Sequence, residues 1–236
     1  MKGKIFAIFC FLIFTSFLTL NAQWVKTYGG SKDDYASSIL QTFDGGYIVA
    51  GSSKSFGAGD FDFQIFKLKS DGTIEWQKTF GDYLPDHANS IRQTNDGGYI
   101  IGGSITIYNS PKQFWIIKLS IDGDIMWQRR YDYFFDSYAY SLQETNDGGY
   151  IVAGNDWISG TQTNDIIILK LSFDGTVEWT KTYAGGVDDI PSSIQQTSDS
   201  GYIVAGNTTS YGAGASDIWI LKLASDGSIE WQKTYG

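Results

Sequence analysis

Acidic side chains recur at one place in this 236-residue chain, and they are the first candidates for chemistry. Four of them, spaced about 52 residues apart, begin a similar segment: Asp34, Asp86, Asp136 (displaced by one residue) and Asp189. A ring of carboxylates could hold a hard cation such as Ca²⁺, or supply the acid and the base of a glycosidase. The alternative is that each carboxylate caps its own loop or pairs with a lysine of a neighbouring repeat. These lysines recur with equal regularity at Lys67, Lys118, Lys170 and Lys222.

Aromatic side chains recur in the most variable segment of each copy. Phe56 and Tyr211 share the context S-[FY]-G-A-G, whereas Tyr108 and Trp157 stand in contexts of their own. Aromatic rings on an open surface stack on sugar rings or anchor a protein partner. We therefore predict Tyr108 and Trp157 as ligand-binding residues, together with the four aspartates, and interpret Phe56 and Tyr211 as packing residues.

Other catalytic chemistry has little support. His87 is the only histidine, and it occupies a position held elsewhere by Tyr35, Tyr138 and Ile190, which favours a packing role. Residues 23–236 contain no cysteine, so they hold no disulfide, thiolate metal site or cysteine nucleophile. No phosphate-binding loop, dinucleotide fingerprint or metalloprotease helix is present. We therefore assign no catalytic residue and no metal ligand, and we expect no cofactor apart from the Ca²⁺ alternative.

Residues 1–22 are typical of a secretory signal peptide. Two lysines precede a long apolar run, and Ala22 precedes Gln23. An uncleaved signal anchor is the alternative. Residues 23–236 carry a net charge near −11, and so acidic a surface repels nucleic acid and anionic lipid. We expect a secreted, periplasmic or cell-surface bacterial protein with no nucleic-acid partner and no membrane insertion after cleavage.

The repeat predicts the fold. Each copy divides into four short β-type runs, which in the first copy are SSILQT, GYIVAG, FQIFKL and TIEWQKTF. The first run is polar, the second and third are apolar on both faces, and the fourth alternates. Four-stranded antiparallel sheets with this gradient are the blades of a β-propeller, whereas solenoid repeats usually run shorter. We predict an all-β propeller with the first strand at the axis and Trp76, Trp127 and Trp179 on outer strands against a neighbouring blade.

The connections divide the predicted disc into two faces. Asp-Gly turns join the first to the second strand and the third to the fourth, and strand direction puts both sets on one face, the tight-turn face. The long connections lie on the other, the long-loop face, and vary most between copies. We expect the long-loop face to bind ligands.

The segment Leu68-Lys69-Ser70-Asp71-Gly72-Thr73-Ile74-Glu75-Trp76 carries a resemblance to a known class of repeat. Its Gly-x-x-x-Trp spacing, present in all four copies, resembles the tryptophan-docking motif of quinoprotein-type propellers. The wider pattern is similar to secreted bacterial seven-bladed propeller repeats. Quinoprotein dehydrogenases of that fold use a vicinal cysteine pair, which this chain lacks, so the resemblance does not extend to quinone chemistry. Non-catalytic members act as envelope-assembly scaffolds or adhesive modules.

Three functions remain open at this point. The first is a non-catalytic module that binds a glycan or protein partner through its long-loop face. The second is a glycoside-active enzyme that uses loop carboxylates near the central channel, and the third is an envelope assembly scaffold. We expect blades at about 31–80, 81–131, 132–183 and 184–236 with an extra rim strand at 24–29. Because the fourth-strand motif appears once more than the others, we expect an open arc that belongs to a longer product.

Overall fold

The structure is a computed structural model that describes residues 24–131, 135–158, 160 and 162–236. These residues form four sheets of four strands, called blades 1 to 4. Blade 1 consists of β1 (Asp34–Gln41), β2 (Tyr47–Ser53), β3 (Asp62–Leu68) and β4 (Ile74–Phe80). Blade 2 consists of β5 (His87–Gln93), β6 (Tyr99–Ile107), β7 (Ser110–Leu119) and β8 (Ile125–Tyr131). Blade 3 consists of β9 (Phe135–Glu144), β10 (Tyr150–Ile158), β11 (Thr163–Leu171) and β12 (Val177–Tyr183). Blade 4 consists of β13 (Asp189–Gln196), β14 (Tyr202–Thr208), β15 (Asp217–Leu223) and β16 (Ile229–Tyr235).

Each blade is an antiparallel meander in which strands follow one another in chain order. The predicted order of first, second, third and fourth strand is therefore confirmed. The first strands lie innermost, since β1 contacts β5, β5 contacts β9 and β9 contacts β13. Asn89 reinforces this arrangement, because its side-chain amide donates to the Ala139 carbonyl of the next first strand at 2.9 Å. The chain is an all-β propeller.

The apolar middle strands form the core. All of the first seven residues of β6 are buried, as are the last six of β7. Three apolar clusters fill the spaces between successive blades, and the one between blades 1 and 2 contains Ile65, Ile91 and Trp115. An antiparallel strand that is apolar on both faces needs a partner on each side, and the neighbouring blades supply it.

The Asp-Gly turns are held by the recurrent lysines. In blade 1, the Asp44 carboxylate accepts from the Gly46 amide at 2.9 Å, and Gly45 has a φ of 81° that favours glycine. The buried Lys67 ammonium lies 2.7 Å from Asp44 and 3.2 Å from Glu75. Its hydrogen bond to Asp44 holds the pKa of that carboxyl well below its usual range. Of the two structural alternatives for Asp34 and its equivalents, pairing with a lysine of a neighbouring blade does not occur in the described residues, because the recurrent lysines pair with acids of their own blade.

Tryptophans of the fourth strands join each blade to the next. The Trp127 indole of β8 lies against Gly175, whose φ is 82°, and donates to the Phe173 carbonyl at 3.2 Å. It also meets the Tyr150 ring edge-on at 5.8 Å. Tyr131, at the end of the same strand, donates its hydroxyl to the Gly175 carbonyl at 2.7 Å. Equivalent pairs are Trp24 on Gly72, Trp76 on Gly123 and Trp179 on Gly227. The predicted packing of Trp76, Trp127 and Trp179 toward a neighbouring blade is confirmed.

The predicted extra rim strand at 24–29 forms no strand, since it has no sheet partner in the described part of the chain. Trp24 nevertheless packs on Gly72, and the Tyr28 hydroxyl donates to the Gly72 carbonyl at 2.6 Å. At the other end, Trp231 and Tyr235 of β16 are 43% and 55% exposed. Contacts like those between successive first strands do not join β13 to β1, so the described blades form an open arc.

The tryptophan contact predicts unequal effects of two equivalent substitutions. Trp127→Ala removes an interblade ring contact and a hydrogen bond, so we expect the free energy of unfolding to fall by about 2–4 kcal/mol. Trp231→Ala changes the same motif on an exposed strand and should cost less than about 1 kcal/mol. Denaturant titration of both variants measures the difference, and equal losses would refute the interblade role.

Candidate functional site

A cleft of about 260 Å³ lies on the long-loop face of blade 3, lined by Asp136, Tyr138, Trp157 and Asn164. Three consecutive strands position these side chains. Asp136 and Tyr138 lie at the start of β9, Trp157 near the end of β10, and Asn164 at the start of β11, where it pairs with Trp157. The cleft therefore contains two predicted site residues, Asp136 and Trp157.

Tyr138 and Asp136 are held by a lysine of the preceding blade. The Lys112 ammonium lies 2.9 Å from the Tyr138 hydroxyl and 4.9 Å from the centre of its ring. The Lys112 backbone amide donates to Asp136 Oδ1 at 2.9 Å. On the same strand, the Tyr140 ring stacks with Tyr138 at 6.3 Å and 18°. The orientation of the Tyr138 ring is thus fixed before any ligand binds, which lowers the entropic cost of binding.

Asn164 is held by residues on both sides. Its backbone amide and its side-chain amide donate to Asp188 Oδ1 at 2.8 and 3.0 Å. Its side-chain carbonyl accepts from Asn155 at 2.5 Å. Asp188 precedes β13, so the hydrogen bonds link blade 3 to blade 4. The cleft combines two aromatic rings, an exposed carboxylate and an amide, which can stack on a flat apolar surface and pair with hydroxyl groups.

The three other predicted aspartates hold interblade loops. Asp189 accepts from the Gly185 amide at 3.0 Å, from Ser210 at 2.8 Å and from Thr208 at 2.5 Å. Asp34 makes the equivalent contacts with Gly30, Ser55 and Ser53. Burial opposes its ionisation, but these hydrogen bonds together lower its pKa.

Asp86 is the equivalent residue in blade 2 and is fully buried. It accepts from the Thr106 amide at 2.8 Å and the Asp82 amide at 3.3 Å. Burial outweighs these hydrogen bonds and raises the pKa of Asp86 to about 6. Capping of its own loop, the structural alternative stated for these aspartates, accounts for the contacts of Asp34, Asp86 and Asp189. A ligand-binding role for them remains a prediction.

Ca²⁺ finds no evident site in the described residues, where no group of three or more His, Cys, Asp or Glu side chains is arranged to hold a metal ion. Likewise, no helix in the described ranges is long and apolar enough to span a membrane, and residues 1–22 lie outside those ranges.

Tyr108 is not among the residues that line the cleft. It stands in the two-residue turn between β6 and β7, beside Asn109 with a φ of 56°, and is 69% exposed. Its binding role remains a prediction. Tyr211 instead donates its hydroxyl to the Ala184 carbonyl at 3.0 Å and packs against Trp219 at 5.0 Å, as a packing residue would.

Sequence reasoning missed Tyr138 and Asn164. The sequence favours a packing role for the position that Tyr138 shares with His87, and Asn164 belongs to no recognisable motif. The signal that could have found them is variation between copies at one structural position. The equivalents of Asn164 are Phe61, Lys112 and Ser216, and those of Trp157 are Lys54, Thr106 and Thr209.

A second polar cavity, of about 330 Å³, lies near the axis on the tight-turn face. Its side chains are engaged in joining the first strands. Gln143 accepts from the Gln196 amide at 2.9 Å, and Glu144 accepts from the Asn95 amide at 2.7 Å. We interpret this cavity as part of the axial scaffold.

The fold and the cleft define an open β-propeller with a candidate ligand-binding cleft on its long-loop face. Residues 198–230 match a family model described as a domain of unknown function (DUF5122) beta-propeller. No curated protein matches the chain.

Two solved structures are similar in fold. One is an endo-arabinase from Bacteroides thetaiotaomicron VPI-5482, with 13% identity, a TM-score of 0.54, and coverage of 89% of this chain and 85% of that one. The other is a putative exo-beta-1,3-galactanase from Bifidobacterium bifidum s17, with 17% identity, a TM-score of 0.51, and coverage of 86% and 73%. At such identities the likeness shows the fold alone. Together with the family match, it shows that the chain is a β-propeller repeat protein.

The buried Asp86 predicts a pH dependence of stability. Its folded pKa of about 6 exceeds the ordinary value of 3.8, so the folded state binds more protons than the unfolded state between these values. Stability must therefore fall as pH rises through this window, by at most about 3 kcal/mol. Asp86→Asn should remove this decline, as measured by denaturant unfolding at several pH values. An unchanged pH profile in the variant would contradict the assignment.

Proposed function

We propose that this chain is a non-catalytic β-propeller module that binds a glycan in the cleft formed by Asp136, Tyr138, Trp157 and Asn164. The proposal rests on one observation: residues that differ from blade to blade lie together in the cleft. Trp157 and Asn164 differ from their equivalents in every other blade, yet they come together with Tyr138 on the long-loop face. The residues that do recur, such as Trp127 and Lys67, are occupied in holding the blades.

The chemistry of the cleft favours a sugar. Sugar rings have an apolar face that stacks on aromatic rings and hydroxyl groups that pair with carboxylates and amides. The cleft approaches the lower end of the size range for small-molecule sites, about 300 Å³. A stable protein interface needs about 800 Å² on each partner, far more than these four side chains offer.

A glycoside-active enzyme is the second candidate. The observation that favours it is a pair of exposed carboxylates, since Asp136 lines the cleft and Asp188 holds Asn164 from the next blade. Glycoside hydrolysis uses two carboxyl groups that flank the scissile bond. The similar structures named as an arabinase and a galactanase suggest which glycans to try first. An envelope assembly scaffold, the third function, has no comparable residue-level observation in its favour.

We expect the module to act outside the cytoplasm, as a secreted, periplasmic or cell-surface protein. The apolar segment before Gln23 and the lack of cysteine in residues 23–236 support export. The predicted result is cleavage after Ala22 in a bacterial host, with Gln23 as the new N-terminal residue. Intact-mass measurement of the exported protein checks this, and a retained residue 1–22 segment would instead favour the signal anchor.

Trp157 supplies the sharpest test of binding. We expect the protein to bind arabino-oligosaccharides or β-1,3-galacto-oligosaccharides in titration calorimetry. Trp157→Ala should weaken this binding by at least about tenfold, because it removes one of the two aromatic rings of the cleft. Phe43→Ala is the matched control, since Phe43 is an aromatic residue, 73% exposed, in the β1–β2 turn on the tight-turn face.

The same samples separate the candidate functions. Retained binding by Trp157→Ala would refute the cleft as the site. If either oligosaccharide is cleaved, so that new reducing ends appear, and Asp136→Asn abolishes this cleavage, the protein is an enzyme and the non-catalytic proposal is refuted. Absence of binding to both probes and to a broad glycan array would reject the glycan hypothesis.

A further inference from the structure

We propose that the cleft is one end of an extended binding surface that crosses blades 1 to 3 and takes a glycan chain of several units rather than a single terminal sugar. The inference rests on the proposed function and extends it to the class of ligand. The surface, called the aromatic row, consists of Tyr35, Phe61, His87, Lys112, Tyr138 and Trp157.

Blades 1 and 2 supply the first half of the row. The Phe61 ring lies between Tyr35 and His87, with ring centres 5.5 and 5.2 Å apart and interplanar angles of 41° and 43°. The Lys54 ammonium lies 4.4 Å from the centre of the Phe61 ring, and it is held there by Asp60 at 2.9 Å. Tyr35 is 60% exposed, so this end of the row faces solvent.

Lys112 connects this half to the cleft. His87 and Lys112 occupy in blade 2 the positions that Tyr35 and Phe61 occupy in blade 1, where the two ring centres lie 5.5 Å apart. Burial and, after it, the positive charge of Lys112 lower the pKa of His87. The same ammonium lies over the Tyr138 ring at 4.9 Å, and Tyr138 shares the cleft with Trp157. Every member of the row is thus next to another member, from the first strand of blade 1 to the second strand of blade 3.

Blade 4 shows that the fold does not need these residues. The positions of Tyr35, His87 and Tyr138 on the first strands correspond to Ile190 in blade 4, and those of Phe61 and Lys112 correspond to Ser216. Blade 4 nevertheless forms the same four-stranded sheet in the same register. Rings that are dispensable for a blade but contiguous across three blades are better explained by a ligand than by packing.

The side chains of the row are suited to binding a polysaccharide. The rings are accompanied by two ammonium donors, since Lys54 lies over the Phe61 ring and Lys112 over the Tyr138 ring. Such a surface offers stacking for apolar sugar faces and donors for hydroxyl groups at successive units. Asp60 pairs with the Lys54 ammonium, and Asp136 accepts from the Lys112 backbone amide, so two carboxylates accompany the two lysines and we expect a neutral glycan.

The test uses arabino-oligosaccharides and β-1,3-galacto-oligosaccharides as matched disaccharide and hexasaccharide pairs, titrated against the full chain. For the sugar that binds, we expect the hexasaccharide to bind about tenfold more tightly than the disaccharide. Tyr35 is exposed and lies in blade 1, away from the cleft in blade 3. Tyr35→Ala should therefore lower the affinity for the hexasaccharide about three- to tenfold and leave the affinity for the disaccharide unchanged. Trp157→Ala should weaken both, and Phe43→Ala neither.

The outcomes distinguish the two proposals. Equal affinity for both lengths, or an unaffected hexasaccharide in Tyr35→Ala, would overturn the extended surface and leave the cleft as a site for a single sugar. Loss of disaccharide binding in Tyr35→Ala, with an unchanged unfolding transition, would also overturn it, because Tyr35 would then belong to the primary site. Lack of binding to all of these oligosaccharides and to a broad glycan array would overturn both proposals.

Discussion

The contact between a fourth-strand tryptophan and the glycine of the next blade's Asp-Gly turn is the interaction on which the arc depends. A blade buries its middle strands only if another blade covers them, so an isolated sheet could not keep Ile116 or Ile167 from water. The glycine satisfies two requirements with one residue. Gly175 takes the positive φ of the tight turn, and its lack of a side chain makes room for Trp127, whose ring would lie 2.9 Å from an added Cβ. The turn that closes a hairpin is therefore also the surface that orders the blades.

Repetition of this contact leaves the opposite face free to vary. The tight-turn face carries the tryptophans, the Asp-Gly turns and the buried lysines with their acids, and each of these recurs with little change. On the long-loop face, the buried aspartates fix the loops, while the residues beside them differ from blade to blade. His87 follows the buried Asp86, and Tyr138 follows Ser137, so fixed loop anchors place the variable side chains at defined points. The contacts that hold the blades together and the side chains that differ between copies thus lie at different ends of the same strands.

The sequence predicted the fold well because a repeated pattern samples each structural position four times. The strand order, the axial position of the first strand and the outward tryptophans followed from polar, apolar and alternating runs. The site was harder to predict for the same reason. Searching for repeated chemistry led to Asp34, Asp86 and Asp189, which the structure places in loop anchors. Asn164 and Lys112 escaped notice because neither residue type suggests a site until the cross-strand register brings it beside an aromatic ring.

The same tryptophan–glycine contact explains the difference between the two ends of the arc. Residues 24–28 place a tryptophan and a tyrosine on Gly72 as β8 does on Gly175, without belonging to a sheet. The contact therefore needs only the W-x-x-x-Y side chains and a short extended backbone, because its partners are ring faces and a carbonyl rather than a strand ladder. In β16 the same residues are present in a complete sheet but are exposed. A complete blade is thus neither required for docking nor sufficient for it; what decides is whether the facing turn is there to receive the ring.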